Sequence, residues 1–256
     1  MIHSTAVVSP SARLAEGVTV GPYSIVGDHV EVGKGTAIGA HTIIDGHTRI
    51  GQQNSIHPFC TLGGPPQDKK YRGEPTRLDI GDRNTIREYC TLNCGTVQDA
   101  GMTRIGDDNW IMAYVHVAHD CQVGNNTIFA NNAQIAGHVH VDDHAILGGF
   151  TVVHQFVSIG AHSLTAMGTI LLQDIPPYVT AAGNAAQPHG INAEGLKRRG
   201  FAPETVSALR TAYKTLYKSG LTLADAKKSL EEQARVTREV QVIVDFLARS
   251  RRGIIR

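Results

Sequence analysis

The chain has 256 residues, 41% of them hydrophobic and 18% charged, with 27 Gly, only 5% aromatic residues and a net charge of +1. That composition is ordinary for a soluble protein, and it suits many tight turns around a narrow core better than a broad packed sandwich. No apolar run approaches the roughly 20 residues that span a bilayer. The opening MIHSTAVVSPSARL lacks the basic and apolar regions of a signal peptide, so neither stable membrane insertion nor export is expected.

From Ile2 an aliphatic residue recurs at every sixth position, through Val8, Leu14, Val20, Val26, Val32, Ile38, Ile44, Ile50, Ile56 and Leu62. The phase resumes at Ile80, Ile86 and Leu92, shifts by one, and runs again from Ile105 through Val117, Phe129, Ile135 and Val153 to Ile159, with Thr165 and Leu171 as weaker members. Four residues after each aliphatic comes a small or β-branched residue, a slot that Cys60, Cys90 and Cys121 share. The residue directly after the aliphatic is often Gly, as at Gly21, Gly33 and Gly51. Period six is neither helical nor that of a simple strand. It is a short strand plus a sharp turn. Three such units close a triangular coil of 18 residues, and stacked coils pair their strands at about 4.8 Å. Unusual φ angles at the turns are expected to fall to Gly and Asn. The four cysteines match no zinc spacing and are expected to be reduced packing residues of a cytoplasmic protein.

Two stretches interrupt the repeat. Residues 63–79, GGPPQDKKYRGEPTRLD, read as a polar loop projecting from the prism, and 97–104 as a smaller insertion. The prism is expected to end near Pro176-Pro177, with residues 1–190 as one domain and 191–256 as a helical one. In the latter, 203–218 place Val206, Leu209, Tyr213, Leu216 and Tyr217 on one helical face, and 222–234 and 237–250 read as two more helices. Such a cap would cover the open strand edges of a solenoid. Residues 195–256 carry 14 Lys+Arg against 6 Asp+Glu, whereas residues 1–194 carry 10 against 17. That split fits either an anionic partner or a solvated helical surface.

An 18-residue coil turns sequence into a surface map. His119, Gly137 and Gln155 share one column, Ala118, Ala136 and His154 the next, and Asp120, His138 and Phe156 the one beyond. His119, His138 and His154 therefore cluster on one edge, with His116 near, whereas His41, His47, His144 and His162 read as turn residues. A neutral imidazole is a suitable general base at neutral pH. Asp120 can assist only if the chain bends there, since neighbouring strand residues face opposite ways. The Gly137 N–H is a candidate oxyanion donor. A base and an oxyanion donor without a nucleophilic Ser or Cys point to direct acyl transfer onto a bound hydroxyl.

Four segments carry a resemblance to a known family: QDKKYRGEPTRLDIGDRNTIRE from Gln67, HVAHDCQVGNNTIFANNAQIAGHV from His116, GGFTVVHQFVSIGAH from Gly148 and INAEGLKRRGF from Ile191. Nearly the whole chain resembles the UDP-N-acetylglucosamine O-acyltransferases that open lipid A biosynthesis. The resemblance implies an all-β solenoid plus α, a left-handed parallel β-helix of hexapeptide repeats with a C-terminal helical domain. The left hand comes from the resemblance alone, because parallel crossovers are normally right-handed. It further implies transfer of a 3-hydroxyacyl chain from acyl carrier protein to the 3-hydroxyl of UDP-GlcNAc by a homotrimer. No cofactor is expected beyond the 4'-phosphopantetheine that the carrier protein brings, and no nucleic acid. His119 matches the general base, Asp120 its supporting carboxylate and Gly137 the oxyanion donor. His116, His138, His154 and Gln155 match positions around the sugar nucleotide; Gln67, Asp68 and Lys70 match the loop that grips sugar and diphosphate. Asn192, Glu194 and Arg198 match positions from a neighbouring subunit that hold nucleotide and phosphopantetheine. Asn93 departs from the His of some relatives. Met167 stands where long-chain members resemble Gly, which implies a shortened acyl slot and a medium chain near 3-hydroxydecanoyl.

Two other readings remain at this level. A γ-type carbonic anhydrase would hold zinc with three histidines, but the spacing of His116 and His119 is unlike that family's, and Arg83 stands where a third ligand would stack. A catalytically silent prism would tolerate loss of His119.

Overall fold

The computed structural model describes residues 1–256. Its strands, most of them two residues long, pair into three sheets, in parallel throughout except for the last two strands. The first face runs from Val7–Val8 to Ile170–Leu171 in nine strands, and the second from Arg13–Leu14 to Ser158–Ile159 in eight. The third runs from Thr19–Val20 up to Leu164–Thr165 and ends in Val179–Ala182 and Gln187–Ile191, giving ten. Successive strands belong to successive faces, so each coil contributes one strand to each. Strand pairing carries the register across both interruptions: Leu62 pairs with Leu92, Leu92 with Val117, and Ile80 with Ile105. The aliphatic column fills the prism, with Ile44, Leu62, Ile86, Leu92, Ile111 and Ile135 fully buried.

Two details of the repeat differ from expectation. The glycines after the aliphatic residue do not supply the left-handed backbone. They stand where coils touch: a methyl at Gly21 would lie 2.7 Å from the Ala40 nitrogen, and one at Gly33 would lie 2.5 Å from the Gly51 carbonyl carbon. The left-handed φ falls two residues later, mostly on side-chain-bearing residues such as Tyr23, His41, Phe59, Tyr89 and Tyr114. Each such residue costs about 1–2 kcal/mol. The rings offset part of this by stacking coil on coil at 5.2, 4.9, 5.0 and 4.8 Å, each pair contributing about 0.5–1.5 kcal/mol. The small-residue slot selects for donors as well as for size. Ser24 Oγ donates to the Gly39 carbonyl at 2.7 Å, and the Cys60, Cys90 and Cys121 thiols donate to those of Arg87, Met112 and Ala136 at 3.0, 3.1 and 3.1 Å. The cysteines are free and buried.

The helical part begins with α1 (Ala193–Arg198) and continues with α2 (Pro203–Tyr217), α3 (Leu223–Ala234) and α4 (Arg238–Arg249). The last three follow the apolar periodicity; α4 buries Val240, Ile243, Phe246 and Leu247. The hairpin of Val179–Ala182 with Gln187–Ile191 and the short α1 carry no periodic signal that the sequence expectation could use. The chain end returns to the prism: Ile254 bridges to Asp174, and Ile255 joins the prism core. No helix is long and apolar enough to cross a membrane.

His144, His162 and Tyr178 stack on the edge between the second and third faces at 4.6 and 5.6 Å. Burial, then His144 and Arg199, lower the His162 pKa from 6.5 to about 4. Its folded pKa lies below its unfolded one, so its contribution to stability is complete above about 6.5 and is lost as pH falls towards about 4. Thermal unfolding followed over that range should show a shallower acid decline for His162→Phe, which keeps the stack and removes the proton site. An unchanged slope would contradict the assignment.

Candidate active site

Strand pairing shows what the 18-residue arithmetic cannot: both interruptions leave the prism on the edge that carries His119. The long loop lies between Thr61–Gly64 and Arg77–Ile80, the short one between Thr91–Asn93 and Met102–Ile105, and His119 between His116–Val117 and Gln122–Val123. All three connect the first face to the second.

Asp120 is left-handed, φ 60, which bends the chain as assistance to His119 requires. His119 Nδ1 lies 2.9 Å from Asp120 Oδ2. Asp120 is buried, and its oxygens accept further bonds from Thr96, the N–H at 2.9 Å to Oδ1 and the hydroxyl at 2.6 Å to Oδ2. The Asp120 N–H donates to Thr103 Oγ1 at 2.8 Å. Burial pushes the Asp120 pKa up, but the bonds from His119 and Thr96, with His138 near, outweigh it and the net shift is down. The carboxylate is therefore charged and accepts only, which places the His119 proton on Nδ1 and leaves Nε2 as the basic nitrogen.

His119 covers Gly137 in the next coil. A methyl on Gly137 would fall 2.6 Å from His119 Cε1 and 2.7 Å from Nε2. The Gly137 N–H makes no hydrogen bond within the chain. The basic nitrogen and a free backbone donor thus share one small space. His138 meets His119 edge-on at 5.0 Å, stacks on Phe156 at 4.4 Å and pairs with Asp99 at 2.7 Å. His116 Nδ1 lies 2.7 Å from Thr91 Oγ1. Burial, then the neighbouring His119, lowers the His116 pKa, so it is neutral at pH 7. His154 and Gln155 are exposed one coil above Gly137, with His154 Nδ1 3.2 Å from the Gln155 carbonyl.

The remaining expected residues do not join this cluster within one chain. Gln67 and Lys70 are exposed on the long loop, where Asp68 caps a turn through the Lys70 N–H at 2.9 Å. Asn93 is buried and ties the loop root, donating to the Pro65 carbonyl at 3.0 Å. Asn192 caps α1, accepting from the Gly195 N–H at 3.1 Å and donating to the His162 carbonyl at 3.0 Å. That sets Glu194 and Arg198, both exposed, on the edge between the second and third faces. Met167 is 79% exposed on the edge between the third and first faces. Thr96, Asp99 and Thr103 were missed from the sequence. Thr96 lies 24 residues before Asp120, because the short loop breaks the count of 18.

Stacked hexads with an imidazole–carboxylate pair beside a free N–H define a transferase of the hexapeptide class. A model of the bacterial transferase hexapeptide (six repeats) matches residues 102–137, and one described as UDP N-acetylglucosamine O-acyltransferase, domain 2, matches residues 174–255. The acyl-[acyl-carrier-protein]–UDP-N-acetylglucosamine O-acyltransferase of Thiobacillus denitrificans is 64% identical over 100% of this chain and 99% of its own length. That of Herminiimonas arsenicoxydans is 59% identical with the same coverage. Among solved structures, LpxA from Acinetobacter baumannii superposes with a TM-score of 0.97 at 47% identity, covering 100% of this chain and 99% of that one. The chain belongs to the UDP-N-acetylglucosamine O-acyltransferase family. Its coils share the left-handed sense of that fold.

Proposed function

We propose that the chain transfers a 3-hydroxyacyl group from acyl carrier protein to the 3-hydroxyl of UDP-GlcNAc, the first step of lipid A biosynthesis, in the cytoplasm. The observation that carries this reading is His119, with its proton held on Nδ1 by Asp120 and Nε2 set against Gly137. Nε2 takes the sugar hydroxyl proton as the oxygen attacks the thioester carbonyl. The Gly137 N–H holds the resulting oxyanion. The C–S bond then breaks, and the imidazolium returns its proton to the phosphopantetheine thiolate. His116, His138, His154 and Gln155 surround the sugar nucleotide. Phosphopantetheine arrives with the carrier protein, and the enzyme needs no cofactor of its own.

Three groups of residues lie on three edges of one prism: His119 on the first, Glu194 and Arg198 on the second, Met167 on the third. One chain cannot bring them together. A homotrimer with edges of neighbouring chains facing each other can, with Gln67, Asp68 and Lys70 reaching from the long loop. The basic helical end suits the acidic carrier protein. The direct test combines UDP-GlcNAc with a panel of 3-hydroxyacyl carrier proteins and measures solution mass. Acylated UDP-GlcNAc from a particle three times 27.5 kDa is expected; no product from any donor would overturn the reading.

Met167 closes the acyl slot in this reading, so 3-hydroxydecanoyl should be the preferred chain. Met167→Gly should shift preference to longer chains at unchanged stability, since the side chain is exposed within its own subunit. No lengthening in the donor panel would remove Met167 from the slot.

One observation favours a metal reading: donor atoms of His119, Asp120 and His138 lie within 4.8 Å of one another. Both Asp120 oxygens already accept hydrogen bonds, Oδ2 from both Thr96 and His119, which suits an orienting carboxylate rather than a zinc ligand. Acyl transfer should survive exhaustive chelation unchanged, and metal analysis should find less than one ion per site. Loss of activity restored by zinc would reverse this.

A further inference from the structure

The short loop between Thr91–Asn93 and Met102–Ile105 projects beside the catalytic pair, with a buried root, residues 94–96, and an exposed tip. Val97 to Ala100 are exposed, whereas Thr96 is 1% exposed. Thr96 gives both its donors to Asp120, the N–H to one oxygen and the hydroxyl to the other. The hydroxyl shares Oδ2 with His119 Nδ1. Two donors on one oxygen fix the direction of the lone pair that the imidazole meets, and with it the ring plane and the aim of Nε2.

We propose that Thr96 is a positioning residue for acyl transfer, acting through Asp120 to hold His119 in its productive tautomer and orientation. This rests on the function proposed above. Thr96 makes no hydrogen bond to Gly137 or to any residue placed around the sugar, so its effect belongs to the chemical step rather than to binding. The hydroxyl also draws charge from the carboxylate. Without it Asp120 is the stronger acceptor, and the His119–Asp120 pair keeps its shared proton to higher pH. The other titratable groups facing the pair are His138, 3.9 Å from Asp120 Oδ2 with Asp99 behind it, His116, and the Cys121 thiol, which burial pushes up to about 12. None of them bonds to the Thr96 hydroxyl, whose partner is Asp120.

The test compares Thr96→Val and Thr96→Ser with wild type in the transfer assay across pH. Thr96→Val fills the same space and keeps the backbone donor. It should lower kcat by about 10- to 100-fold, the scale set by a misaimed base, leave KM for UDP-GlcNAc within about threefold and move the acid limb of kcat to higher pH. Thr96→Ser should restore both kcat and the limb. A purely structural role predicts no shift of the limb and no recovery with Ser, and either result overturns the proposal, as does a Thr96→Val enzyme with wild-type kcat. Imidazole ¹⁵N spectra, with His119 assigned by its absence in His119→Gln, read the tautomer without turnover. Wild type should show the Nδ1–H form and Thr96→Val a mixture; identical spectra overturn the proposal. Wild-type enzyme that makes no acylated UDP-GlcNAc would instead sink the proposed function, and the spectra would still decide the role of Thr96.

Discussion

His119→Ala should reduce kcat/KM for acyl transfer by about 10²–10⁴-fold, the usual contribution of a positioned general base. The loss should fall on kcat, because in the proposed transfer the ring takes the proton of the reacting hydroxyl, and the residues assigned there to the nucleotide remain. Folding should change little. The prism is held by the buried aliphatic column, to which His119 adds nothing, and its imidazole is 15% exposed. The variant leaves Asp120 with both Thr96 donors, so the lost hydrogen bond costs about 1 kcal/mol rather than the penalty of an orphaned buried charge. His119→Gln separates two explanations. Its amide can donate to Asp120 and sustain the local structure, yet it holds no basic nitrogen at the Nε2 position. Equal inactivity of both variants, with unfolding midpoints near wild type, assigns the loss to the proton transfer. Substantial activity in either would remove His119 as the general base and overturn the mechanism proposed for the transfer.

How far the sequence reaches depends on what each residue must satisfy. The inner aliphatics obey a local rule of period six, so Val20, Ile44, Leu92 and Ile135 are readable without any structure. Stacking makes that rule long-range, so the column of His119 over Gly137 is readable too, as is His138 over Asp120. Legibility fails where the count of 18 fails. Thr96 reaches Asp120 across 24 residues and Asp99 reaches His138 across 39, and only strand pairing on either side of the short loop sets those offsets. The glycines are hard to read for a different reason. A Gly beside a turn looks like a source of left-handed backbone, but here it marks the contact between coils. The corners instead accept Tyr, Phe and His whose rings stack along the edge. The hairpin after Val179 and the short α1 follow no period, since their positions depend on the prism end and on Asn192 bonding to His162. The hand of the coil and the substrate lie beyond periodicity altogether and came through relatives.

Gly137→Ala should be nearly as damaging as loss of the base, for a reason distinct from that of the other glycines. At Gly21 and Gly33 an added methyl meets backbone of the next coil, which cannot move without unstacking the prism. At Gly137 the three nearest atoms all belong to the His119 ring, Cε1 at 2.6 Å and Nε2 at 2.7 Å among them. An imidazole can rotate about its χ angles, so the fold yields at small cost, on the order of 1 kcal/mol for an off-rotamer side chain. The site does not yield as cheaply. To clear the methyl, Nε2 must leave the space beside the Gly137 N–H, where in the proposed transfer the base would meet the attacking hydroxyl and the N–H the carbonyl oxygen, and the Nδ1 bond to Asp120 must bend or break. A displacement near 1 Å at such a centre costs about 10²-fold, and blocking a backbone oxyanion donor costs about 10²–10³-fold. The variant should therefore unfold within a few degrees of wild type and lose about 10²–10³-fold in kcat. It should also bind UDP-GlcNAc close to normally in calorimetry, because the methyl faces the ring and not the nucleotide. A stable Gly137→Ala enzyme with wild-type kcat would mean that His119 does not work against Gly137, and the geometry proposed for the transfer would have to be abandoned. An unstable one would place Gly137 with Gly21 and Gly33, as a contact between coils and no more.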